Sequence, residues 1–156
     1  MDLLNISDDD IDFNSSKWLL EYARIVGCDR FSVDIEVKEM DFAVEYQKKL
    51  LSNLEPYYLG SEDAKIVVMY NYESDVRHQK MWSLNHDSIS IILRFMGRHL
   101  LDDMIAGNEG ISGWRFYKGK EILACAVHGF DYFYFIDPPA TLINILGPKA
   151  VVGKQL

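Results

Sequence analysis

Glu36 and Lys38 stand two residues apart in a run, Phe31 to Lys38, whose apolar residues alternate with polar ones. Residues two apart on a strand share a face. A carboxylate able to hold Mg²⁺ is thereby set beside an ammonium able to stabilise charge developing on a phosphate. Asp34 shares that face, and Tyr46 and Gln47 follow on the next predicted helix. A second set, Asp10, Asp12, Asn14 and Glu21, falls at positions 1, 3, 5 and 12 of a loop-sized segment, oxygen ligands at a spacing that suits Ca²⁺. A third, Arg77, His78, Lys80, Trp82 and His86, gathers cations around an aromatic ring, with Asp75 and Asp87 nearby. Such a stretch can bind a small anion or a protein groove, or be a plain surface connection. Its two histidines, eight apart, lack a metal-site spacing. His128 closes an apolar run beside Gly129 and is the first histidine to test as a general base, though no nucleophile accompanies it. His99, inside a predicted helix, reads as a core-edge residue bonded to backbone.

The Glu36-Val37-Lys38 triplet resembles part of the restriction-endonuclease-like pattern, an Asp followed by Glu-x-Lys on the next strand and a helix bearing Gln or Tyr. The resemblance implies a metal-dependent nuclease using Glu36 and Lys38. It departs upstream, where Asp29 lies only seven residues before Glu36, with no room for a hairpin, and Asp34 is on the same strand. The acidic segment is similar to an EF-hand loop, with Ser15 in place of the turn glycine and Lys17 in place of the usual apolar residue. A solvated strand face and a helix cap after an acidic arm are the plainer accounts of these two sets. The chain has no Gly-x-Gly-x-x-Gly, P-loop, Gly-x-Ser-x-Gly or Cys-x-x-Cys, which disfavours nucleotide-dependent and zinc-finger chemistry. No catalytic residue, metal or cofactor is assigned.

These residues must be held by a chain of 156 residues, 49% hydrophobic and 13% aromatic, enough for one domain with a core of its own. The start, MDLLNISDDDID, has neither the basic opening nor the apolar run of a secretory signal, and no window is apolar for the ~18 residues of a membrane span. Cys28 and Cys125 are far apart in sequence; Cys125 reads as a buried core residue, and a cytoplasmic home is expected.

Spacing predicts a flexible acidic arm over 1–13, then a helix capped by Asn14 or Ser15 and stopped by Gly27, with Trp18, Leu19, Tyr22 and Ile25 inward. Phe31 to Val37 is the clearest strand. A second helix begins near Asp41 and ends before Pro56, with Glu45 placed to pair with Lys49. Pro56–Asp63 reads as a loop and Ala64–Tyr72 as a buried strand, which suggests a right-handed parallel crossover. Residues 73–86 lack a clean period and read as a polar loop with an exposed Trp82. The longest helix follows, capped by Asn85 or Asp87 and running to about Ala106, with Gly97 at a close packing point. Gly110 to Asp137 reads as three antiparallel strands broken at Lys118-Gly119 and His128-Gly129. In the first of them, Trp114 and Phe116 form the covered face and alternate with Arg115 and Tyr117; Ile122–Val127 is covered on both sides. Asp137-Pro138 opens a short helix to Leu146, and 148–156 form a frayed tail. The expected fold is a single α/β domain of α+β character, with a mixed sheet of about five strands, an antiparallel C-terminal meander and helices packed on the sheet.

The net charge of −8 is unevenly placed: residues 1–63 hold 15 acidic and 6 basic residues, and 64–156 hold 9 and 10. Such a field disfavours nucleic acid and steers a basic partner. The expected function is therefore non-enzymatic: an acidic protein that captures and blocks a basic protein, in the manner of a bacterial immunity protein against a nuclease toxin. Asp34, Glu36, Glu39, Asp41 and Glu45 are the expected contacts, aided by the arm at Asp8 to Asp12. The alternatives are the metal-dependent nuclease and a small-molecule binder with an aromatic pocket beside Tyr132, Tyr134 and Trp82.

Overall fold

Two helix starts are fixed by side chains that cap each other's backbone. In the computed structural model, which describes residues 2–7, 11–67, 74–100, 102, 109–126, 132–146 and 150–154, Ser15 N donates to the Asp12 carboxylate at 2.8 Å and Asp12 N donates to Ser15 Oγ at 2.7 Å. Asn85 and Ser88 make the same reciprocal pair, 2.9 Å each way. The caps are thus Asp12, ahead of the expected Asn14 or Ser15, and Asn85. Along the chain come β1 (Asp2–Ser7), α1 (Phe13–Ile25), β2 (Arg30–Ile35), α2 (Asp41–Leu54), a 3₁₀ turn (Glu55–Tyr57), β3 (Tyr58–Val67), β4 (Ser74–Ser83) and α3 (His86–Phe95). They are followed by β5 (Ile111–Lys118), β6 (Glu121–Ala126), β7 (Tyr132–Ile136), α4 (Ala140–Leu146) and β8 (Ala150–Lys154).

The single α+β domain with a β5-β6-β7 meander and helices against a sheet is as expected. The sheet is larger than about five strands: eight lie in the order β3-β4-β2-β5-β6-β7-β1-β8, and every neighbouring pair is antiparallel rather than mixed. The difference comes from three segments. Residues 2–7, read as part of a flexible arm, form β1 between β7 and β8, and 150–154, read as part of a frayed tail, form β8. The expected loop 73–86 is mostly β4, which pairs with nine of the ten residues of β3 and slips between β3 and β2. Strands β2 and β3 do run in the same direction across α2, but β4 separates them, so no parallel pair forms.

The expected long helix stops at Phe95, because Gly97 takes a φ of 84° and Asp102 turns back to accept from Arg98 N at 2.8 Å. A left-handed glycine here ends the helix, and the close packing expected at Gly97 is with Asp102, whose Oδ2 would lie 2.5 Å from a Cβ there. Helix α4 begins at Ala140, after Pro138-Pro139, not at the Asp137-Pro138 pair. In α1, Leu19, Leu20 and Ala23 are inward while Ile25 and Trp18 are exposed, a rotation of the face that periodicity chose. On α2, Glu45 pairs with Lys48 at 3.7 Å, one residue short of the expected Lys49.

One face of the sheet carries the helices. Leu19, Leu20 and Ala23 of α1, Leu50 and Leu54 of α2, Ile89, Ile92 and Phe95 of α3 and Leu142 of α4 pack with Phe31, Trp82, Trp114, Phe116, Phe133 and Phe135 from four strands. Trp82 is therefore buried, against its expected exposure, and stacks near Phe31 at 5.9 Å. The opposite face was expected to be open along β5, yet residues 111–117 are buried throughout. The sheet curls until β3 lies over β5 and β6. Tyr117 Oη donates to the Lys65 carbonyl at 2.8 Å, Lys65 pairs with Glu121 at 3.3 Å, and Ala64, Met81, Tyr117, Ile122, Cys125, Tyr134 and Ile136 fill the concavity.

Cys28 and Cys125 are free thiols in separate clusters, one on each face. Burial pushes both up to about 12 from an ordinary value of 9.0, with the Asp29 charge adding to Cys28 and the Arg115 charge opposing at Cys125. Above pH 9 the unfolded chain loses these protons first, so stability, fully present below that pH, should fall by about 1.4 kcal/mol per pH unit and per thiol until pH nears 12. Urea midpoints measured from pH 8 to 10.5 should decline more steeply for the wild type than for Cys28→Ala/Cys125→Ala. Neither thiol should react with a disulfide reagent before unfolding.

Candidate partner-binding site

The segment from Glu36 to Glu45 leaves β2, crosses to α2 and carries seven exposed side chains on a fixed backbone. Glu36 N donates to the Gly110 carbonyl at 2.7 Å. Gln47 Nε2 reaches back to the Glu36 carbonyl at 2.8 Å and the Glu109 carbonyl at 2.7 Å. Met40 closes the helix start by accepting from Ala43 N and Val44 N at 3.0 and 3.1 Å. Gly110 is required at this junction: its φ is 77°, and a Cβ there would lie 2.6 Å from both Gln47 Nε2 and the Glu36 oxygen. Gln47, which sequence reasoning placed beside a nuclease-like motif, thus acts as a strut under the loop.

Three apolar side chains stand out on this strut-held segment. Val37 is 89% exposed, Met40 49% and Phe42 48%, three exposed apolar side chains within six residues. Carboxylates surround them. Glu36 pairs with Lys38 at 3.4 Å and Glu45 with Lys48 at 3.7 Å, both on the surface, where such pairs contribute little. Glu39 and Asp41 are exposed and make no ion pair among the described residues. Residues 34–45 hold five carboxylates and one lysine.

Asp34 is placed differently from the other four. Its carboxylate points into the concave face and takes both terminal nitrogens of Arg115, Nη1 to Oδ1 at 2.9 Å and Nη2 to Oδ2 at 2.7 Å. Arg115 is 8% exposed. Burial works against its charge, but the hydrogen bonds and charge of Asp34 prevail and hold its pKa above the ordinary arginine range. Gln79 Oε1 accepts from Arg115 at 3.3 Å and from Ser32 Oγ at 2.9 Å, while Gln79 Nε2 donates to Tyr117 Oη at 2.9 Å. Gly113, at φ 68°, leaves room for this, since a Cβ there would lie 2.6 Å from Asp34 Oδ2. The network ties β2, β4 and β5 together and makes Asp34 a structural group. Sequence reasoning missed Arg115, Gln79 and Gly113; the only signal was an arginine alternating with aromatic residues in β5.

No protein-family model, curated protein or solved structure matches this chain. Its function must therefore be argued from these side chains alone.

The other expected sites are dispersed. Glu36 and Lys38 lie beyond the end of β2 and neutralise each other. Among the described residues no group of three or more His, Cys, Asp or Glu side chains is close enough to hold a metal ion. Asp12 is the α1 cap and Glu21 pairs with Arg24 at 3.3 Å and His86 at 3.1 Å; Asp8, Asp9 and Asp10 lie outside the described residues, as does His128. Tyr134 and Trp82 belong to opposite faces of the sheet, so they share no pocket; nothing is described of the Tyr132 side chain. Arg77, His78, Lys80 and Trp82 do converge, on β4 rather than in a loop. No helix among the described residues is long and apolar enough to cross a membrane.

Proposed function

We propose that this chain is a non-enzymatic binding protein whose Glu36–Glu45 segment captures a basic protein and blocks it. The observation that carries the reading is the exposure of Val37, Met40 and Phe42 in one short run beside the unpaired carboxylates of Glu39 and Asp41. Apolar contact area rimmed by charge has the anatomy of a protein interface. The apolar side chains supply affinity, and the carboxylates select a partner with lysines and arginines around a hydrophobic recess and hasten its approach. Gly110 and Gln47 keep the segment in one conformation, which lowers the ordering cost of association.

A nuclease offers such a partner surface, because a site that grips phosphate is basic by necessity. An immunity-protein-like inhibitor of a nuclease toxin is the form of the reading we favour. We place the protein in the cytoplasm, in keeping with two free thiols. A photo-crosslinking amino acid at Val37 or Phe42 should trap a basic protein in cells, and the same group at Ile25, before the opposite end of β2 and itself 70% exposed, should not. Identical adducts from all three positions, or adducts only to acidic or neutral proteins, would refute the proposal.

A further inference from the structure

A separate site lies where the sheet splits. Strands β2 and β4 pair only at Arg30–Ser83 and Phe31–Trp82. Beyond Phe31, β2 stays with β5, while β4 stays with β3. The opening between them is a cleft of about 320 Å³ lined by the apolar Val33, Ile35, Leu51 and Trp82 together with Asp34, Arg77, His78, Gln79 and Lys80. A smaller hollow of about 170 Å³ adjoins it, sharing Leu51, Lys80 and Trp82 and adding Glu55 and Tyr58.

We infer that this cleft binds a small organic anion with an apolar body. Charge complementarity argues for it. On a chain of net charge −8, the cleft collects Arg77 and Lys80, neither of which makes an ion pair among the described residues. The carboxylates near them do not cancel them: Asp34 is held by Arg115 at 2.7 Å and Asp63 by His78 at 2.9 Å. Glu55 lies in the adjoining hollow, beyond Lys80. Within β4, Lys80 shares a face with Trp82, and Arg77 lines the opening from the other face; the anionic group therefore belongs beside Lys80, and the apolar body against Trp82, Leu51 and Val33. Ser32 and Arg115 both reach Gln79 across the split, at 2.9 and 3.3 Å. The first bridges β2 and β4 and the second β5 and β4; together they leave no room to thread a further strand, so a compact ligand fits and an extended peptide does not. The volume is that of a small-molecule site.

The probes are 1-anilinonaphthalene-8-sulfonate and 2-naphthoate, titrated into the full chain and followed by fluorescence and by amide chemical shifts. Saturable one-to-one binding is expected, with shifts concentrated at residues 32–35 and 77–82. Arg77→Gln/Lys80→Gln, which alters two exposed strand positions, should weaken it by about tenfold, the size of one lost charge-assisted contact. Absence of saturable binding by both probes, shifts elsewhere on the molecule, or equal affinity in the double variant would overturn the inference. The Glu39, Asp41 and Glu45 carboxylates take no part, so its failure leaves the partner-binding reading standing.

Discussion

Asp34→Ala is expected to lower the unfolding free energy by about 3 kcal/mol, because it strands a buried cation. Arg115 has its guanidinium inside the curl of the sheet, with Asp34 supplying two of the three acceptors given to it. Without that carboxylate the cation retains, among the described residues, Gln79 alone. A loss of this size corresponds to about 10 °C in Tm for a chain of this length. Arg115→Met should cost less, about 1 kcal/mol, since the Asp34 side chain is 39% exposed and water can replace its partner. Thermal unfolding of both variants checks the asymmetry. Equal losses would mean that water already reaches the guanidinium. The same measurement separates Asp34 from the other expected contacts: its removal should be felt in stability before it is felt in partner capture.

Glu39→Lys/Asp41→Lys/Glu45→Lys should behave in the opposite way. All three side chains are exposed, and surface substitutions of this kind shift stability by about 0.5 kcal/mol or less each. Association with a basic partner should nonetheless slow by about tenfold to a hundredfold at low salt, as a steering field is replaced by a repelling one. Dissociation should change less, because Val37, Met40 and Phe42 remain. Val37→Ser/Phe42→Ser should show the reverse pattern, with faster dissociation and a nearly unchanged association rate. Stopped-flow traces of the two variants against one partner distinguish the contributions of charge and apolar area.

What could be read beforehand was whatever local pattern decides. The alternation of Phe31, Val33 and Ile35 located β2, the glycine at 27 ended α1 with a φ of 106°, and the aromatic run after Gly110 gave the meander. What could not be read depends on distant neighbours. Strand β4 alternates no apolar residues over Asp75–Lys80, because part of it borders the cleft and pairs on one edge only. Strand β1 is made by its insertion between two C-terminal strands, a pairing no local spacing announces. The α3 pattern ran on through Leu100 across Gly97, and periodicity alone could not tell that Leu100 returns to the core from outside the helix, where its N donates to Ser16 Oγ at 3.1 Å.

The site was legible in its composition and not in its geometry. Five carboxylates between Asp34 and Glu45 marked the segment, but what sets Asp34 apart and what holds the loop come from far along the chain. Asp34 is matched by Arg115, 81 residues away, and the loop bearing Val37 is held by Gln47 and Gly110. The exposure of Val37, Met40 and Phe42 was equally invisible, since Val37 extends the apolar alternation of β2 although the strand ends at Ile35.

The most direct measurement is the association rate of the protein trapped at Val37 or Phe42, taken between 20 and 300 mM NaCl with wild type and the triple lysine variant. The proposed function predicts a wild-type rate that falls by about tenfold across that range, as exposed charges are screened, and a variant that starts slow and does not fall. A wild-type rate indifferent to salt, and unchanged by the three reversals, would contradict it.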